Sequence, residues 1–260
     1  MDVVEDVKQF DCGICASFTD ETAVFDAADG CDAIIHTAAM HGASFCKATN
    51  AQFIATNVLG SENLFQAALK FDIPRLVMSS TMEVLLGRTW DAYGTALLRE
   101  DMTPRPDWIY PLTKLQVEQM SEFYARVYGL ETIDLRYMGF DDRPIEQLSF
   151  DLLARGLTVK DAAISNLLAA TTPGLKNEIL HIGPDTVLTQ DDTNQALRGD
   201  TWSVLERHWP GSEMLLKQKD LQPHTNHFWP VVPVDRAKNI LNWKPESKFD
   251  VFLHSLGWSE

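Results

Sequence analysis

Apolar positions recur along the chain in two rhythms. Short segments bounded by turn residues, Ala33 to Thr37, Arg75 to Ser79, Glu131 to Tyr137 and Ile179 to Gly183, have the length and apolar content of buried parallel strands. Between them the apolar residues fall at helical spacing. Phe53 to Phe71 carries Ile54, Val58, Leu64, Phe65, Ala68 and Leu69 on one stripe, and Leu112 to Tyr128 ends at Gly129, a C-cap residue. Thr22 to Ala28 forms a short helix with Asp20 as N-cap. Upstream, the alternation Phe10/Cys12/Ile14 predicts a strand over Phe10 to Ala16. Strand and helix alternating at this rhythm imply a parallel α/β sheet with right-handed crossovers. Leu85 to Trp108, with Gly87, Gly94, Pro104 and Pro106, reads as an irregular loop.

After Gly139 the pattern loosens. Asp161 is expected to cap a helix reaching Ala170, and from Asp185 onward short helices mix with Trp202, Trp209, Trp229 and several prolines. The boundary predicted from this change places one domain at residues 1–140 and a second region at 141–260. No repeat or low-complexity tract interrupts either.

Charge removes some function classes. Asp and Glu number 37 against 22 Lys and Arg, a net charge of −15. Such a surface repels nucleic-acid backbones and anionic lipid, so neither nucleic acid nor membrane is an expected partner. No apolar run approaches the ~18 residues of a spanning helix. The acidic start, Met1 to Asp6, lacks the apolar core of a signal peptide. The location expected from this is cytoplasmic. Cys12 and Cys15 have redox or half-zinc spacing, but on a strand they would point to opposite faces. They are read with Cys31 and Cys46 as buried, reduced thiols. His224 and His227 have no acidic or cysteine ligand patterned around them, so no metal is expected.

The chemistry concentrates at Tyr110-Pro111-Leu112-Thr113-Lys114. A phenol and an ammonium four residues apart share one face of a helix, and the ammonium favours the phenolate. Ser79-Ser80-Thr81 ends an apolar strand ~30 positions earlier. A hydroxyl beside the phenol can hold a carbonyl or alcohol oxygen while hydride moves at the attached carbon.

Several motifs in order carry a resemblance. Ile34-Ile35-His36-Thr37-Ala38-Ala39, Asn57-Val58-Leu59-Gly60-Ser61-Glu62-Asn63-Leu64, Ser79-Ser80-Thr81-Met82-Glu83-Val84, the tyrosine–lysine pair, Val159-Lys160-Asp161-Ala162-Ala163 and Leu241-Asn242-Trp243-Lys244-Pro245 resemble signatures of the extended short-chain dehydrogenase/reductase family, the NAD-dependent epimerase/dehydratase group. The resemblance implies a Rossmann-like doubly wound parallel sheet with a smaller C-terminal substrate region. It implies NAD or NADP as cofactor and a small-molecule substrate, a sugar or sugar nucleotide among the candidates, and it allows a homodimer. By the same resemblance Thr81, Tyr110 and Lys114 are the catalytic set, with Ser80 as the alternative hydroxyl. Ala38, Ala39, Ser80, Tyr110, Lys114 and Tyr137 would contact the cofactor. Glu83 is read as structural, because Met82 stands where the dehydratase branch has an aspartate. Gly139 stands where many sugar-nucleotide members have an asparagine.

One family feature is missing. Gly13, Gly30 and Gly42 are isolated, and no G-x-x-G-x-x-G turn precedes Tyr110; such a turn brings backbone N–H groups to the cofactor pyrophosphate. Ser17 also replaces the family's adenine-contacting aspartate. The sequence therefore predicts an N-terminally incomplete Rossmann-like domain that binds dinucleotide weakly or not at all, with Phe10–Ala16 moving in beside Ala33–Thr37 or that edge pairing with another chain. Two functions follow from these features. One is an NAD(P)-dependent oxidoreductase or sugar epimerase using Thr81, Tyr110 and Lys114. The alternative is a truncated or degenerate non-catalytic member acting as a binding or structural protein.

Overall fold

The computed structural model describes Met1 and residues 12–42, 47–86 and 96–259. The chain divides into two compact units. The first comprises Met1–Arg88, Pro104–Arg136 and Ala169–Ile179, and the second Thr89–Thr103, Tyr137–Leu168 and Leu180–Glu260.

In the first unit, α1 (Glu21–Ala28) begins where the Asp20 carboxylate accepts from the Ala23 N–H at 3.2 Å. Strand β1 (Ala33–His36) follows. A long helical stretch comprises α2 (Asn50–Phe53), a π-helical turn (Ile54–Leu59) and α3 (Gly60–Lys70). Thr49 and Gln52 close a capping box at its start. Strand β2 (Arg75–Thr81) and a helical turn, α4 (Glu83–Leu86), lead to α5 (Ile109–Tyr128) and β3 (Glu131–Tyr137). The sequence places the start of α5 at Leu112, but Pro111 sits inside its first turn, where a missing N–H costs nothing. Gly129, at φ +78°, ends the helix in the left-handed conformation, as expected.

Strands β1 and β2 pair in parallel, Ala33 opposite Arg75 and His36 opposite Met78. Phe18, Val24, Phe65, Ala68, Leu76 and Val117 pack among the buried residues of this unit. Gly60 is glycine for a local reason: a Cβ there would lie 2.6 Å from the Phe18 ring. Asn63 in the same motif donates to the Phe18 carbonyl at 3.1 Å.

The second unit opens with β4 (Phe140–Asp141), α6 (Ile145–Leu148), β5 (Leu157–Thr158) and α7 (Val159–Thr171), with β4 and β5 paired in parallel. Strand β6 (Glu178–Ile182) completes a four-stranded sheet in the order β1-β2-β3-β6. Short helices follow, and Leu152, Leu153, Val204, Leu205, Leu216 and Leu253 lie in their core.

Three expectations need correction. Phe10 and Asp11 lie outside the described residues, and Cys12–Ala16 is not a strand. Cys12 adopts a left-handed φ of 61°, which breaks the extended run, and only Cys15 makes a single β-bridge. Among the described residues β1 therefore ends the sheet, and Ile35 is 43% exposed. Cys12 and Cys31 are exposed rather than buried, and Cys15 is partly so; Cys46 lies outside the described residues. Asp161 does not cap α7. The Thr158 hydroxyl takes its N–H at 3.1 Å, while its own buried carboxylate accepts from the Ser247 N–H at 2.8 Å and O–H at 2.6 Å and from the Glu246 N–H at 3.0 Å. A carboxylate already satisfied by tertiary donors has no reason to cap.

Candidate active site

The end of β2 and the first turn of α5 place the predicted chemical groups together. Thr81 is buried at the last position of β2, close enough to Tyr110 for its hydroxyl to favour the phenolate. The Glu83 N–H also donates to Thr81 Oγ1, at 3.2 Å. Lys114 lies one turn after Tyr110 and is buried, with Nζ 5.9 Å from the phenol ring centroid and donating to the Ser79 carbonyl at 2.8 Å. Trp108 flanks the tyrosine with ring centroids 5.5 Å apart, and His41 lies 6.1 Å away on another side.

The electrostatics differ from the expectation that Lys114 lowers the tyrosine pKa. Burial raises the Tyr110 pKa, and the Glu83 charge raises it further; the Thr81 hydroxyl opposes them. Burial pushes the Lys114 ammonium down to about 8, against the pull of Asp134 and Glu118. The Glu83 carboxyl is held above its ordinary value, mainly by desolvation, although Trp108 Nε1 donates to it at 2.8 Å. At neutral pH the phenol is thus protonated, ready to donate.

Beneath these groups lies a polar network that sequence reading missed. Arg136 and Glu118 form a two-point buried ion pair, with Nε–Oε1 and Nη2–Oε2 both 2.8 Å. Their side chains are 2% and 3% exposed. The Ser80 hydroxyl donates to Glu118 at 2.5 Å, which turns it into this network and leaves Thr81 as the hydroxyl beside Tyr110. Asp134 accepts from Ser121 at 3.0 Å, while burial and the neighbouring Glu118 raise its pKa. Charge spacing within helix and strand gave no signal for this, because Glu118 and Arg136 meet only once α5 and β3 are packed.

Ala38 and Ala39 follow β1 and line a cavity of about 590 Å³ that also touches Ser17, Phe18, Ile34 and His36. Their small side chains leave the backbone of this segment open, which suits a flat or extended ligand. Tyr137 belongs to the second unit; its hydroxyl is engaged with Ser165 at 2.9 Å and Asn166 at 2.8 Å. Among the described residues no group of three His, Cys, Asp or Glu side chains is placed to hold a metal ion. No helix of the described residues is long and apolar enough to cross a membrane.

Comparison with known proteins identifies the family. The family model described as NAD dependent epimerase/dehydratase matches residues 5–139, just over half of the chain. The chain belongs to the NAD dependent epimerase/dehydratase family. A UDP-glucuronate 4-epimerase of Thermodesulfobacterium geofontis is 24% identical over 253 residues, covering 88% of this chain and 72% of that protein. A uronate dehydrogenase of Pseudomonas syringae is 28% identical, covering 52% of this chain, which spans about half of that protein (49%). The solved structure of a uronate dehydrogenase variant from Agrobacterium tumefaciens complexed with NAD superimposes with a TM-score of 0.64 at 18% identity, covering 94% of this chain and 72% of that one. The family fold, a Rossmann-like parallel sheet with flanking helices, is therefore the fold of this chain.

His36, in the motif after which the cavity-lining alanines come, has a titration with a measurable consequence. Burial, aided by the Lys114 charge, lowers its pKa from 6.5 to about 3. Above pH 6.5 both folded and unfolded states hold it neutral. Below that, the unfolded chain takes up the proton first, so stability should fall by about 3 kcal/mol between pH 6.5 and pH 4. Urea denaturation across this range should show a flatter pH dependence in His36→Asn. An unchanged slope would show that His36 is not held neutral.

Proposed function

We propose that this chain is an NAD(P)-dependent oxidoreductase or epimerase acting on a hydroxyl or carbonyl of a sugar, a uronate or nucleotide-linked uronate being the first class to try. One observation carries the reading: the Tyr110 phenol, the Thr81 hydroxyl and the Lys114 amine meet at the end of β2. The relatives that act on uronates and UDP-uronates direct the choice of substrate.

The residues present fit the nicotinamide-ribose end of the cofactor. Lys114 offers an amine and Tyr110 a phenol, and the small residues Ala38 and Ala39 open the neighbouring cavity. No glycine-rich turn in this sequence cradles a pyrophosphate, so weak dinucleotide binding is still expected. When bound, the nicotinamide supplies a two-electron hydride acceptor or donor.

The protein's groups handle the proton. In the reducing direction Tyr110, protonated at neutral pH, donates to the oxygen as the carbonyl carbon becomes a carbinol. Thr81 holds that oxygen, and Lys114 replenishes positive charge near the phenolate left behind. In the oxidising direction the phenolate takes the hydroxyl proton. Glu83 opposes that direction by raising the phenol pKa. Glu83→Gln should therefore raise the oxidation rate at a fixed alkaline pH; an unchanged rate would show that the carboxylate does not act on Tyr110.

The reading is tested by assaying formation of reduced cofactor with D-glucuronate and D-galacturonate, and interconversion of their UDP conjugates, in which the cofactor is regenerated, at cofactor concentrations in the ~millimolar range that weak binding requires. Turnover of at least one, and its loss in Tyr110→Phe, is expected. Turnover unaffected by that change would refute it.

A further inference from the structure

Among the described residues, strand β1 pairs with β2 on one side and with no strand on the other. Alternate residues of a parallel strand send both N–H and C=O to the same neighbour, so half of the β1 backbone groups face this open edge. Side chains alternate as well. Ile34 packs on the core of Phe18 and Val24, and His36 meets the Phe18 ring at 4.8 Å, whereas Ile35 on the opposite face is 43% exposed. The cavity of about 590 Å³ follows the strand, touching Ala28, Cys31 and each residue from Ala33 to His41. An open strand edge beside a groove is a template for another extended segment.

Charge decides which segment fits. Between Cys12 and Gly42 the chain carries Asp20, Glu21, Asp26, Asp29 and Asp32, all exposed, and no Lys or Arg. Asp29 and Asp32 lie on either side of Cys31 and lead directly into β1. Lys70, 4.2 Å from the Phe25 ring centroid, is one cation against these five carboxylates. A second copy of the chain would bring the same carboxylates toward them, and a dinucleotide would add a pyrophosphate. A cationic strand is drawn in by the same field.

We propose that the open edge of β1 is a docking site for a cationic, extended peptide segment of another protein, added as a further strand beside Ala33–His36. Main-chain hydrogen bonds to the edge hold its backbone. An apolar residue at alternate positions covers Ile35, and Lys or Arg at one end meets Asp29 and Asp32. The site follows β1, whereas Thr81, Tyr110 and Lys114 gather at the end of β2, so occupancy of the edge does not depend on the oxidoreductase reading.

The test uses the full chain and a fluorescein-labelled probe peptide, Lys-Lys-Val-Thr-Val-Thr-Val, with binding followed by anisotropy. Saturable binding is expected. Replacing both probe lysines with glutamate should weaken it by about 10-fold or more. N-methylating the five Val and Thr nitrogens, which keeps the charge and removes the main-chain donors, should also weaken it by about 10-fold or more. Because these arms vary the probe, a misfolded variant cannot mimic their result. On the protein side, Asp29→Asn with Asp32→Asn should weaken the lysine probe by about 3- to 10-fold and flatten its salt dependence. Bound probe should slow amide exchange over peptides spanning Ala33 to Thr37. No saturable binding up to ~1 mM, equal affinity of the N-methylated probe, or slowed exchange only outside β1 would overturn the proposal. So would a doubled mass in light scattering that Ile35→Lys abolishes, since a second copy would then occupy the edge.

Discussion

Tyr110→Phe is expected to lower turnover by about 100-fold or more, about 2.7 kcal/mol of transition-state stabilisation, with little change in KM. The substitution removes one oxygen and keeps the ring beside Trp108 and His41, at 5.5 Å and 6.1 Å, so packing should hold. What disappears is the phenol proton beside Thr81. Lys114→Met should move turnover in the same direction, because it removes the ammonium that faces the phenol ring at 5.9 Å. Steady-state kinetics with a uronate and NAD would check both. Near-normal turnover in Tyr110→Phe would remove the proposed acid.

The second large effect is on stability. Arg136→Met should destabilise the protein by about 3–5 kcal/mol, because it leaves the Glu118 carboxylate buried beside Asp134 without its cation. Two charge-assisted hydrogen bonds are lost, and among the described residues Ser80 is left as the donor to Glu118. Replacing Glu118 with leucine in the same chain should recover most of the loss, since an apolar pair of similar volume carries no unpaired charge. Chemical denaturation of the two variants measures this. A loss below about 1 kcal/mol in Arg136→Met would show that water reaches the pair.

How much the sequence revealed depended on how locally each feature is determined. Glu131–Tyr137 lies where its pattern predicts, and α5 ends at Gly129 as predicted, because strand alternation and a left-handed cap are written within a few residues. Thr81, Tyr110 and Lys114 were legible as neighbours because one helix turn and one strand end suffice to bring them together. Phe10–Ala16 misled because alternation alone does not reveal the left-handed Cys12. The sign of the Tyr110 pKa shift was not legible either. It depends on how deeply the phenol is buried and on Glu83 lying nearby, both products of tertiary packing. Asn57 stood inside a recognised motif, yet its hydrogen-bond partners Met40 and Thr113 lie 17 and 56 residues away. The ion pair of Glu118 with Arg136 was invisible for the same reason.

The central claim is that Tyr110, beside Thr81 and Lys114, transfers the proton in an NAD(P)-dependent reaction on a sugar. The most direct measurement is turnover by wild type and Tyr110→Phe in parallel with NAD or NADP, read as reduced-cofactor formation with a saturating uronate and as epimer formation with a saturating UDP-uronate. The expected result is measurable turnover in the wild type that falls about 100-fold in the variant. Equal rates in the two proteins, or no turnover of any of these sugars with either cofactor, would contradict it.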